Sequence, residues 1–347
     1  MTGCAAGGSA SQSASGNGSG TVSAKFAYAS TSPLASVIAA EQSGDWTKSG
    51  IDVTVDQVPD VGTATTLAIG KKDEFGHSAP STAFAAMSQG VPITIIAGLG
   101  FGTGNAQAGY LTSLASSGIK TLADLKGKIV AVTAIGSSYD FYLRAAFKRI
   151  GIDPTKDVHI VPVPYPQMEG ALQQHTVDAA LLLAVDYAQL GAKVPVNVID
   201  TTGQLANAPV EITGIVVARN DWLKQNRQTA VDFLAGLVKA EAATENDVAN
   251  NNSAKTIAML QPILKYAPAT MKAYQKYRLD SIGKESQIMG LLRVPKSFVT
   301  PALAMLKSGG GLPGNTPVTY KTAVDLSYLK AAYAKAGIQW NTDVQYP

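Results

Sequence analysis

The chain contains a single cysteine, Cys4, only three histidines, and charged residues at 15% of its 347 positions. One cysteine excludes an internal disulfide, and it leaves thiol catalysis to a residue near the start of the sequence. His77, His159 and His175 lie far apart, with no H-x-x-H or H-E-x-x-H spacing, so no metal site is expected. Net charge is only +3 and the cations are dispersed, with Lys71 and Lys72 read as a solvated face. Nothing resembles a basic stripe for a nucleic-acid backbone. No run of about 20 apolar residues is available to cross a bilayer as a helix. A dinucleotide fingerprint is missing too. Counted from Gly98, Gly100 or Gly102, the third glycine of G-x-G-x-x-G falls on Thr103, Asn105 or Gln107, and no clear helix follows. That glycine run is read as a mobile loop beside a crossing between lobes. Gly76-His77-Ser78-Ala79-Pro80 has the outline of a nucleophile elbow but ends on proline, which argues against a serine hydrolase built on Ser78.

What is present is apolar content, 46%, enough for two modest cores or one large one, and two lobes are expected. Thr2-Gly3-Cys4 followed by Ala5-Ala6-Gly7-Gly8-Ser9 resembles the end of a bacterial lipoprotein signal and its mature start, with Cys4 as the acylation site. Met1 stands where such a signal has an apolar residue. Ser9 to Ser23 is nearly all small and polar, a composition that behaves as a flexible tether. The expected order is lipid anchor, tether, globular body.

Within the body, β-branched and apolar runs alternate with helical periodicity. Lys25 to Ala29, Ile51 to Asp56, Glu74 to Gly76 and Ile93 to Ala97 read as strands, separated by helices over Leu34 to Glu41, Thr63 to Ala68 and Pro80 to Gln89. Ser32, just before Pro33, is the expected cap of the first helix. The central stretch is Lys128 to Ile150. Ile129 to Val132 suits a strand buried on both faces; after Gly136, Leu143, Ala146, Phe147 and Ile150 recur at helical spacing, and Gly151 closes the helix. A helix beginning at Ser137 or Ser138 offers unpaired N-H groups to a negative or strongly polar group, at the carboxyl edge of a sheet where ligands bind. Ser137-x-x-Asp140 also fits a capping-box variant, which alone would account for the serines. Thr121 and Asp124 share that spacing. Strands follow over Val158 to Val163, Val177 to Leu183, Val194 to Ile199 and Ile212 to Ala218, the last carrying the chain back to the first lobe, and from Asp221 the pattern is mostly helical. Alternating strands and helices imply an α/β architecture with mostly parallel sheets.

Together, Ser30-Thr31-Ser32-Pro33, Gly50-Ile51-Asp52-Val53, Thr121-Leu122-Ala123-Asp124-Leu125-Lys126-Gly127-Lys128, Gly136-Ser137-Ser138 and Val177-Asp178-Ala179-Ala180 resemble the nitrate/sulfonate/taurine-type substrate-binding proteins of bacterial ABC importers, over roughly residues 24 to 340. The resemblance implies a two-lobed periplasmic binding protein of type II, with mixed, mostly parallel sheets and flanking helices. On this chain it gives a lipoprotein terminus and tether over 1–23, lobe 1 over 24–110 plus 211–347, and lobe 2 over 111–210. It also implies an extracytoplasmic, lipid-anchored monomer without a cofactor or catalytic residue, whose partners are a small solute and a membrane permease. Two departures stand out. Ala184-Val185, then Asp186-Tyr187, replace a frequent Glu-Pro after the Val-Asp-Ala strand, and His175-Thr176 replace a glycine before it.

The ligand loops implied are Ser30, Thr31 and Ser32 after the first strand, His77, Ser78, Ala79 and Ser81 after the third, and Gly136, Ser137, Ser138 and Tyr139 at the second-lobe helix. These supply hydroxyls, N-H groups and aromatic faces but hardly a lysine or arginine; Arg144 is expected to point outward. Asp60, Asp186 and Glu211 sit near loop ends, where they either take an amine or heterocycle N-H or remain solvated carboxylates. An organosulfonate, a taurine-like zwitterion and an uncharged heterocycle all stay open. Tyr28 and Tyr139 are candidates to stack on a ring or to edge the core. The alternatives are an enzyme of the thiamine-pyrimidine synthase type, which the single cysteine argues against because its iron motif is cysteine-rich, and a sensor or adhesin lobe.

Overall fold

The computed structural model describes residues 22–29, 35–103, 109–207, 210–282, 292–308 and 310–340. Cys4 and most of the expected tether therefore lie outside the described residues, as do Ser30, Thr31, Ser32 and Pro33. The first sheet receives β1 (Val22–Ala29), followed by α1 (Ala35–Ser43) and α2 (Asp45–Lys48), then β2 (Ile51–Val58), α3 (Val61–Ile69), β3 (Phe75–Ser78), α4 (Pro80–Ser88) and β4 (Ile93–Thr103). The chain then builds a second sheet with β5 (Gly109–Leu114), β6 (Ile129–Val132), α5 (Ser138–Arg149), β7 (His159–Pro162), α6 (Tyr165–Gln173), β8 (Ala179–Leu183), α7 (Ala184–Gly191), β9 (Val196–Thr201) and α8 (Thr202–Ala206). It returns through β10 (Val210–Arg219) and ends in α9 (Asn220–Gln225), α10 (Arg227–Asn251), α11 (Ala254–Leu264), α12 (Pro268–Ile282), α13 (Lys296–Ser308), α14 (Tyr320–Ala323) and α15 (Ser327–Ala336).

The strand orders are β2-β1-β3-β10-β4 and β7-β6-β8-β5-β9. In each sheet one strand runs against the others: β10 is antiparallel to β3 and β4, and β5 is antiparallel to β8 and β9. This is the mixed, mostly parallel pair of sheets that the family resemblance implied; the alternating pattern alone implied only mostly parallel sheets. β1 opens at Val22, inside the stretch expected to be tether, because Val22 already pairs with Ile51 in register.

The glycine run is not a loop as far as it is described. β4 continues through Gly98, Leu99, Gly100, Phe101 and Gly102 to Thr103, pairing with β10 from Val210 to Arg219. Glycines at alternate positions leave one face of a strand bare, while Leu99 on the other face is fully buried. The long partner strand supplies the hydrogen bonds that override glycine's weak strand preference. The helix after β6 runs as read, from Ser138 to Arg149, and Gly151 follows at φ 78°. His175, which stands where a glycine was expected, also adopts a left-handed conformation at φ 56°.

Lobe 1 is centred on aromatics. Phe75 stacks on Phe233 of α10 at 3.9 Å, Trp46 also stacks on Phe233 at 5.6 Å, and Phe26 meets Phe233 edge-on at 5.2 Å. Each such buried ring contributes on the order of 2 to 3 kcal/mol by area alone. Leu111, Leu125, Val130, Leu143, Phe147 and Leu181 form the core of lobe 2. Among the described residues, two apolar contacts join the lobes. Ala35 and Ile38 of α1, Leu260 of α11 and Met271 and Tyr274 of α12 pack against Val185 of α7. On the other side α13 lies over α5, with Met305 packed against the lobe 2 core and Phe141 against the lobe 1 core.

Candidate ligand site at the carboxyl edges of the sheets

Strand β3 ends at Ser78, Ala79 turns the backbone at ψ 145°, and Pro80 occupies the first helical position, where its missing N-H removes nothing the helix would use. Ala79 has no capping side chain, so the N-H groups of Ser81 and Thr82 have no partner within α4. Helix α5 is capped. Ser137 accepts from the Asp140 N-H at 3.3 Å, and the buried Asp140 carboxylate reaches back to the Gly136 N-H at 2.8 Å. Its second oxygen accepts from Arg144 Nε at 2.7 Å, and Arg144 Nη1 donates to the Pro154 carbonyl at 3.4 Å. That ties the guanidinium to its own helix. The Ser137 cap is formed, with Asp140 reaching one residue beyond the N-cap to Gly136, yet the Ser138 N-H has no acceptor within α5.

These two helix N-termini belong to different lobes and face each other, with Ser81 Oγ 2.9 Å from Ser138 Oγ. Beside the contact lies a small cavity, with room for about one water, bounded by Pro80, Tyr142, Met305 and Leu306. Sequence reasoning named both serines but had no signal for their pairing across 57 positions, nor for α13 closing the far wall.

The other expected residues divide by what they touch. His77 is 1% exposed and its ring stacks on Tyr28 at 5.4 Å. Burial pulls its pKa down to about 4, so the imidazole is neutral, and Nδ1 has no hydrogen-bond partner among the described residues. Gly214 of β10 makes room for the ring, since a Cβ there would lie 2.5 Å from His77 Nε2. Ser78 is enclosed within lobe 1, accepting from the Thr65 hydroxyl at 2.7 Å and donating to the Ala79 carbonyl at 3.2 Å. Asp60 caps α3, accepting from the Thr63 N-H at 2.8 Å and its hydroxyl at 2.9 Å. Tyr139 is buried in the lobe 2 core. Glu211 pairs with Gly102 through its backbone, and its side chain lies outside the described residues. Asp186 stands in the first turn of α7, and its Oδ2 is sealed from solvent with no hydrogen-bond partner among the described residues. Burial, and then the nearby charge of Glu169, push its carboxyl up to about 6.

Two α/β lobes, each with a five-stranded mixed sheet and each presenting a helix N-terminus to the other, define a two-lobed architecture of the periplasmic binding protein type. The chain belongs to the NMT1/THI5-like family, whose model matches residues 32–250. It is similar to the nitrate/nitrite binding protein NrtA of Nostoc sp., 29% identical over 130 residues, which is 37% of this chain and 29% of the relative. The match thus spans less than a third of that relative's length. Among solved structures, the periplasmic nitrate-binding protein NrtA from Synechocystis PCC 6803 superposes with a TM-score of 0.71 at 19% identity, covering 94% of this chain and 91% of that one. The periplasmic aliphatic sulphonate binding protein SsuA from Escherichia coli superposes with a TM-score of 0.70 at 17% identity, covering 87% and 92%.

Proposed function

We propose that this protein is the extracytoplasmic solute-binding component of an ABC import system. It would hold a small polar organic molecule in the cleft between lobes and deliver it, unaltered, to a membrane permease. The observation that carries this reading is the Ser81 to Ser138 contact, which brings the open N-termini of α4 and α5 from separate lobes to one point. Each N-terminus favours an anionic or strongly polar group by about 0.3 to 1 kcal/mol, and hydroxyl and amide hydrogen bonds add to that. A group gripped from both lobes binds best when they are shut, so ligand binding and hinge closure are the same event. The nitrate and sulphonate specificities of the similar proteins support this class of solute, and the sequence resemblance to lipoproteins supports anchoring through Cys4. A non-catalytic role is supported by the described side chains around the hydroxyl pair, Pro80, Tyr142, Met305 and Leu306, which include no general base. His77 is the only histidine among the ligand loops, and it is walled in by Tyr28 and Gly214.

The test is solution scattering combined with thermal shift against sulfonates, carboxylates, amines and vitamin precursors. A ligand that raises the melting temperature, shrinks the radius of gyration and is recovered unchanged supports the carrier. Chemical turnover of the ligand, or no response to any class, sinks it.

A further inference from the structure

Resting on that carrier reading, we infer that the solute presents a positively charged nitrogen to the Asp186 carboxylate, which makes Asp186 the residue that sets the charge class of the ligand. Asp186 opens α7 at the carboxyl end of β8. Strand β8 pairs in parallel with β6, whose own carboxyl end leads into the N-terminus of α5. Neighbouring strands lie about 4.8 Å apart, so Asp186 and Ser138 rise from one rim of the lobe 2 sheet. Across from Asp186 stands lobe 1, through α1 and α12 packed on Val185 and through Tyr266, whose hydroxyl is held up to about 12 by burial and then by the Asp186 charge.

A fold does not keep a carboxylate oxygen sealed from water and unpaired unless something supplies the partner. No described cation does. Lys193, at the end of α7, donates to Glu169 at 2.6 Å, and Glu169 is itself the negative neighbour of Asp186. Arg144 is committed to Asp140, and Arg149 to the carbonyls of Gln204 and Leu205 at 2.9 Å. A docked cation would bring the raised carboxyl of Asp186 back down. The relatives similar to this chain are named for anions. Here the helix N-termini suit an anionic end while Asp186 suits a cationic one, a combination that a zwitterion satisfies at both ends.

The experiment titrates the full chain calorimetrically with two matched pairs, taurine against ethanesulfonate and β-alanine against propionate, with nitrate alongside, in the native protein and in Asp186→Asn. The ammonium-bearing member of a pair is expected to bind at least tenfold more tightly. Asp186→Asn is expected to erase that preference while raising the melting temperature of the free protein, whereas an aspartate with a purely structural role would lower it. Ethanesulfonate, propionate or nitrate binding as tightly as the amines, or an Asn variant that keeps the preference, overturns the Asp186 assignment and leaves the carrier reading standing. A protein that binds none of the five overturns both.

Discussion

His77 carries a pH signature because it is neutral where an exposed histidine would be charged. In the unfolded chain it takes up a proton near pH 6.5, while in the folded protein burial delays that to about 4. Between those values the unfolded state binds more protons, so this residue's contribution to stability falls as pH drops from about 6.5 toward 4. Asp73 and Asp186 act in the opposite sense. Both are raised to about 6, so the folded protein holds their protons first, and their contribution to stability rises as pH falls from about 6 toward 3.8. His77→Phe keeps a ring on Tyr28 and removes only the first effect. The melting temperature of the variant minus that of the native protein should therefore grow from pH 7 to pH 4.5; a flat difference would mean that His77 is not held neutral.

Strand β10 is the element on which the first lobe depends, since it separates β3 from β4 and runs against both. Gly214 is its point of closest approach. A Cβ there would meet His77 Nε2 at 2.5 Å and the Leu99 carbonyl oxygen at 2.8 Å, and neither can retreat from a paired strand. Gly214→Ala should cost about 1 to 3 kcal/mol, the range for overpacking a close-packed interior, read as a lower denaturant midpoint with unchanged slope. The turn before β8 offers the reverse case. His175 sits at φ 56°, a conformation glycine adopts freely, so His175→Gly should stabilise by about 0.5 to 1 kcal/mol, strain relief exceeding the entropy that glycine loses on folding. Thermal unfolding of the two variants in parallel checks both signs.

At the scale of the whole molecule, the described residues join the lobes through two apolar contacts, one on α7 and one between α13 and α5, and through one hydroxyl pair. Two serine oxygens 2.9 Å apart mark these positions for a cross-link between the lobes. With Cys4 replaced, the double variant Ser81→Cys and Ser138→Cys should cross-link under mild oxidation, slow solute entry and exit by at least tenfold, and recover on reduction. Exchange as fast in the oxidised as in the reduced form would show that the contact does not gate the cleft.

The sequence by itself determined the local facts. β-branched runs gave the strands, Gly151 and the Ser137 to Asp140 box gave the limits of α5, and the alternation of periods gave the α/β class, because each of these is decided within a few residues. It misjudged Gly98 to Thr103, where local preference says loop and a partner strand more than a hundred positions away says otherwise. Only the tertiary structure decided that Ser81 meets Ser138, that Gly214 lies against His77, and that Asp186 has an oxygen without a hydrogen-bond partner among the described residues. Those are relations between residues distant in sequence. Hydrogen bonding and desolvation depend on which atoms end up adjacent, and adjacency is fixed when the two sheets pack.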